Sequence, residues 1–90
     1  MARLTEAEID ARLPGLKGWR REGPALRREY GFGDFKASIA FVNRVADLAN
    51  SADHHPDITI KYDRVTLTLT SHDSGGLTER DFKLAAAIDA

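Results

Sequence analysis

A chain of 90 residues makes one domain, spanning residues 1–90, and its net charge of -1, from 13 basic and 14 acidic side chains, gives no bulk attraction for nucleic acid, an anionic membrane or an acidic partner. With 42% hydrophobic and 30% charged residues it reads as a globular protein, and with no cysteine it can form no disulfide, thiolate nucleophile or cysteine-ligated metal site, which suits a cytoplasmic location. A chain this short buries only about 60–65% of its unfolded surface, so association with a second copy would help it.

In chain order, Leu4-Thr5-Glu6-Ala7-Glu8-Ile9 predicts a helix start. Thr5 is the N-cap, Glu8 completes a capping box, and Leu4 and Ile9 can form a hydrophobic staple. Pro14-Gly15 ends that helix. The acids Glu6, Glu8 and Asp10 argue against a signal peptide, and the longest apolar run, Leu84 to Ile88, is too short to span a bilayer. Gly18 to Glu22 and Ala25 to Phe32 flank Gly23-Pro24 and predict a first hairpin, with Leu26, Arg28, Tyr30 and Phe32 on one face.

Asp34 can cap a long helix from about 35 to 52. Its apolar stripe is Phe35, Ile39, Val42, Val45 and Ala49, widened by Phe41, Leu48 and Ala52. Lys36, Asn43, Arg44 and Asp47 are left for solvent. Pro56 disfavours α conformation at His55, so this helix must stop near Asp53 or His54. Ile58, Ile60 and Tyr62, then Val65, Leu67 and Leu69, predict a second hairpin with a turn at Asp63-Arg64. By parity His72 falls with Thr66, Thr68 and Thr70, unless the strand ends first. After Gly75-Gly76, Leu77, Thr78, Asp81 and Phe82 repeat the capping and staple logic of the first helix. The expected architecture is α+β: a four-stranded antiparallel sheet with three helices on one face, in the order α-β-β-α-β-β-α.

The chemistry concentrates in His54, His55 and His72. Imidazole titrates nearest neutrality, so these residues suit proton transfer, and equally they suit an exposed helix end, where histidine complements the helix dipole. A metal site, with Asp53 or Asp81 added, is disfavoured because adjacent ligands diverge, and the expectation is no metal. Asp81 can orient a histidine, cap its helix, or do both. The pairs Arg20-Arg21 and Arg27-Arg28 are diluted by Glu22 and Glu29, and Trp19 reads as core.

These residues fall in a pattern that resembles the pterin-4a-carbinolamine dehydratase family over Leu13 to Asp89. The pattern comprises Gly18-Trp19, Phe32-Gly33-Asp34-Phe35, His54-His55-Pro56, Tyr62, Ser71-His72-Asp73, Gly75-Gly76-Leu77-Thr78 and Asp81. Five residues separate Pro56 from Tyr62, nine separate Tyr62 from His72, and eight separate His72 from Asp81. Asn50 stands where the family usually has a charged residue, often glutamate; an amide cannot take a proton, so that acid's role is not carried over.

The resemblance implies loss of water from a 4a-hydroxytetrahydropterin to give a quinonoid dihydropterin, in recycling of tetrahydrobiopterin, with no cofactor. It implies His54, His55 and His72 as catalytic residues, with Pro56, Asp81, Asp53 and Ser71 at the substrate. His54 and His72 are expected to move protons from opposite sides of the ring, His55 to position it, and Asp81 to orient a histidine. The expected partners are the pterin and further copies of the chain, as homodimer or homotetramer. A second function class is a non-catalytic dimerisation, assembly or transcriptional coactivator module of the same fold, because members of the family act in that way too.

Overall fold

The computed structural model describes residues 2–90, which form helix α1 (Glu6–Arg12), strands β1 (Arg20–Glu22) and β2 (Ala25–Gly31), helix α2 (Phe35–Ala52), strands β3 (Asp57–Lys61) and β4 (Arg64–Leu69) and helix α3 (Glu79–Asp89). The order is the one expected. Local chemistry sets the helix starts. Thr5 Oγ1 accepts from the Glu8 N–H at 3.2 Å, and Glu8 accepts from the Thr5 N–H at 2.9 Å. Asp34 caps α2 by accepting from the Ala37 N–H at 2.7 Å. Beyond α1 the chain tightens into a 3-10 turn over Leu13–Gly15, which Pro14 permits because it sits where no N–H is needed.

The sheet order is β1-β2-β4-β3, all antiparallel. Register carries Leu26 opposite Leu69, and Leu67 opposite both Arg28 and Ile58. Leu26, Val65, Leu67 and Leu69 are fully buried and join Val45 and Ala49 of α2 and Leu84, Ala85 and Ile88 of α3 in one core. The other face, with Arg27, Glu29, Thr59, Thr66 and Thr68, is open. The helices thus lie on one side, and β4 is an inner strand.

Three expectations need correcting. The second hairpin turns at Tyr62-Asp63, because Lys61 pairs with Arg64 and so Arg64 already belongs to β4. Tyr62 takes a positive φ of 51°, a backbone position that costs a bulky side chain, and the residue is 66% exposed. Phe35 does not join the core stripe and is 51% exposed, while Ser38 is buried in its place. Phe35 lies at the margin of the stripe, on the open side of the helix with Lys36, Ile39, Ala40 and Asn43. On the edge strand β3 only Ile58 packs against the core; Ile60 is 38% exposed.

Asp89 fastens the C-terminal helix to the first hairpin. Its carboxylate accepts from Trp19 Nε1 at 2.7 Å, Arg28 Nη1 at 2.9 Å and the Tyr30 hydroxyl at 2.6 Å. Burial first, then the Asp89 carboxylate, push the Tyr30 phenol far above its ordinary range, so its hydroxyl remains a donor. Gly18, at φ 86°, leaves room for the Arg28 guanidinium, which lies 2.6 Å from where a Cβ would stand. Asp89→Ala is expected to cost about 1–3 kcal/mol in urea unfolding, because three donors lose their acceptor. A loss below about 0.5 kcal/mol would show that water replaces the carboxylate at no cost.

Candidate functional site

Helix α2 stops by a Schellman turn. The His54 N–H reaches back to the Ala49 carbonyl at 3.1 Å and the Asp53 N–H to the Asn50 carbonyl at 3.3 Å, with Asp53 left-handed at φ 50°. Asp53, a candidate substrate contact, serves here through its backbone, and its side chain is exposed. The turn sends the two neighbouring histidines apart. His54 is buried, whereas His55 is exposed with Nε2 at 3.0 Å from Asn50 Oδ1. Pro56, half-buried, then leads into β3.

The buried histidine meets α3. His54 Nε2 lies 2.6 Å from Asp81 Oδ1, and Asp81 is fully buried. Asp81 Oδ2 accepts from the Ser71 hydroxyl at 2.9 Å and from the Thr78 N–H at 2.9 Å. One proton per hydroxyl fixes the direction of the rest. Ser71 gives its proton to Asp81, so it accepts from Thr78 Oγ1 at 2.9 Å, and Thr78 Oγ1 accepts from the Arg80 N–H at 3.2 Å. Asp81 as a carboxylate only accepts, so His54 Nε2 carries a hydrogen and Nδ1 is the nitrogen left for other work. Asp81 is therefore both the third residue of a helix cap and the anchor of a histidine, the two roles that its position in the sequence allowed.

Ser71 arrives by strand parity. Burial alternates along β4 and continues past it, so Ser71 is buried and His72 exposed. The strand ends at Leu69; Ser71 bridges to Gly76, and His72–Ser74 form a 3-10 turn closed by Gly75 at φ 77°. Among the described residues the His72 ring makes no hydrogen bond or ion pair. His54, Ser71 and Asp81 thus come together, with Thr78 added. His55 and His72 remain outside that network, and His72 is tied to it through its neighbours, Ser71 by its bond to Asp81 and Asp73 by its bond to Arg80.

His54 also lines a cleft of about 390 Å³ between α2 and α3, with Leu48, Ser51, Ala52, Arg80, Lys83, Leu84 and Ala87. His55 and His72 are not among its lining residues. Asn50, whose amide stands in place of the family's usual acid and can hydrogen-bond a histidine, holds His55. One participant escaped sequence reading. Arg80 went unmentioned, and its Nη2 bonds Asp73 at 2.8 Å beside His72. The only advance signal for Arg80 was an acid seven residues before it, beside a candidate histidine.

A family model described as pterin 4 alpha carbinolamine dehydratase matches residues 2–90. A protein of Thermomicrobium roseum with the provisional name pterin-4-alpha-carbinolamine dehydratase is 58% identical over 88 residues, 98% of this chain and 95% of its own. One from Acidobacterium capsulatum, named in the same way, is 54% identical over 90 residues, covering 100% and 98%. Among solved structures, a transcriptional coactivator/pterin dehydratase from Brucella melitensis superposes with a TM-score of 0.92 at 37% identity, over 97% of this chain and 95% of that one. A pterin dehydratase-like protein identified as a RuBisCO assembly factor in the alpha-carboxysome gives 0.65 at 26% identity, over 79% and 82%.

Proposed function

The chain belongs to the pterin 4 alpha carbinolamine dehydratase family, and from this premise we propose that it removes water from a 4a-hydroxytetrahydropterin to give a quinonoid dihydropterin, as a cytoplasmic step in tetrahydrobiopterin recycling. In that reaction the C4a–O bond breaks, the oxygen takes a proton and leaves as water, the N5 proton departs, and a C4a=N5 bond forms. Hydroxide leaves poorly, so an acid at the oxygen and a base near N5 are both required, each contributing about 10²–10⁴-fold.

The observation that carries the reading is the division among the histidines. His54 is buried and bonded through Nε2 to Asp81, while His55 and His72 present exposed rings. This favours His55 and His72 as the groups that exchange protons with substrate, and His54 as the fixed member that sets the site's shape. The roles first expected for His54 and His55 are thereby exchanged. Pro56, Ser71 and Asp81 hold the surroundings, and Asp53, next to the histidine pair in the chain, offers an exposed acid.

The test is direct: add synthetic 4a-hydroxytetrahydropterin and follow the quinonoid product by absorbance. Dehydration well above the spontaneous rate is expected. A rate equal to the spontaneous one would sink the enzymatic reading. The module reading draws on the coactivator and assembly-factor relatives and on the exposed side chains Phe35, Ile60 and Tyr62, which suit contact with a second copy or another protein. It would take over if turnover were absent and one protein co-purified at fixed stoichiometry. Sedimentation is expected to report a dimer or tetramer.

A further inference from the structure

The turn bearing His72 is held on both sides by neighbouring residues of α3. Ser71, just before it, bonds Asp81 at 2.9 Å; Asp73, just after it, bonds Arg80 Nη2 at 2.8 Å. Among the described residues the His72 ring has no partner, so the backbone of this turn sets where its side chain starts out from the chain. The two anchors differ in kind. The Ser71 anchor is buried and shared with His54, so it cannot be cut without disturbing that histidine. The Asp73 anchor is separable, touching nothing else among the reacting groups.

We propose that Arg80 is a positioning residue for His72, holding the 72–74 turn against α3 through Asp73 so that the imidazole faces the substrate at a fixed angle. This rests on the reading that His72 exchanges protons with the pterin. The half-buried position of Arg80 fits the task. Its side chain is 30% exposed, lies along the cleft beside His54, and carries a buried Nε that lacks a partner among the described residues. The Arg80 guanidinium in turn holds the Asp73 carboxyl below the usual carboxylate range.

The experiment has two readouts. Amide hydrogen exchange follows Ser74, Gly75 and Gly76, whose N–H groups bond Ser71 and His72 carbonyls at 3.0–3.3 Å, with the His54 amide as control. Arg80→Gln, and Asp73→Asn cutting the same pair from its exposed side, are expected to speed exchange at the turn about 2–5-fold and leave the control unchanged. Both should lower kcat about 3–10-fold with little change in KM, and the double variant should be no worse than either single one. Arg80→Lys, which keeps a cation, should recover most of the rate. Salt of about 1 M, where the Debye length is about 3 Å, should slow the wild type but not the variants. Unchanged exchange in the turn would overturn the proposal, whatever the activity. Faster exchange with undiminished kcat would overturn it as well, because the turn's order would then not matter to turnover. Should the wild-type chain not dehydrate the carbinolamine at all, the exchange data would still decide whether Arg80 holds the turn, and the dehydratase reading alone would fall.

Discussion

Asp81→Ala is expected to destabilise the chain by about 3–5 kcal/mol, a large share of the roughly 5–13 kcal/mol that a 90-residue domain holds. The carboxylate is fully buried and accepts from His54 Nε2, the Ser71 hydroxyl and the Thr78 N–H. Alanine leaves all three donors in a space without water to replace the acceptor, and an unmet buried donor costs about 1–3 kcal/mol. It also opens the cap of α3, whose loss adds about 1 kcal/mol. Asp81→Asn keeps the volume but offers one acceptor oxygen and an NH₂ group. One donor must then yield, and His54 satisfies the amide by accepting at Nε2 and moving its hydrogen to Nδ1. Its expected cost is smaller, about 2 kcal/mol, with the tautomer of His54 reversed and readable by imidazole nitrogen shifts. The measurement for both is urea unfolding at constant m-value. A cost below about 1 kcal/mol for alanine would mean that the three elements meet without help from the carboxylate.

How far the sequence reaches can be judged from the same residue. The capping role of Asp81 depends on Thr78, three positions away, and such spacing is visible in one dimension. The same holds for Thr5 with Glu8, for Asp34, and for the bounds of α2. Its bonds to Ser71 and His54 cross 10 and 27 positions, and no local rule announces them. They follow from β4 running through the interior of the sheet, which delivers Ser71 to the start of α3, and from the Schellman turn that faces His54 inward. That turn rests on Asp53 in a left-handed conformation where glycine is usual, so the residue type concealed it. Phe35 misled for a related reason: a wide helical stripe shows which side chains align but not which of its margins the core covers, and here Ser38 is covered while Phe35 lies beside Lys36 and Asn43 on the open side. Tyr62 at positive φ likewise gave no sign that the hairpin would turn one residue early. The family pattern added what periodicity lacked, linking the histidine pair to Ser71-His72 and Asp81. It left Arg80 unmarked.

His55→Ala and His72→Ala are each expected to lower kcat/KM by about 10²–10⁴-fold while changing stability by no more than about 0.5 kcal/mol. Both rings are exposed, and the one side-chain bond between them and the rest of the described residues is His55 with Asn50, so little packing is lost. His54→Ala should behave differently. Removing that ring deprives the buried Asp81 of a donor at 2.6 Å, so about 1–3 kcal/mol of stability should go with the activity. Measuring turnover and unfolding on the same three variants therefore separates a group that moves protons from one that holds the site in shape. If His54→Ala alone abolished turnover at full stability, the anchored ring would be the proton carrier and Asp81 its orienting partner. If His55→Ala and His72→Ala both kept wild-type rates, histidine acid/base catalysis would have no exposed group left to perform it, because neither of the other two rings could then be the acid or the base. The magnitude decides the intermediate case. A loss of only about 3–10-fold at either exposed histidine is what misplacement of the substrate produces, whereas about 10²-fold or more requires that a proton acceptor or donor has been removed.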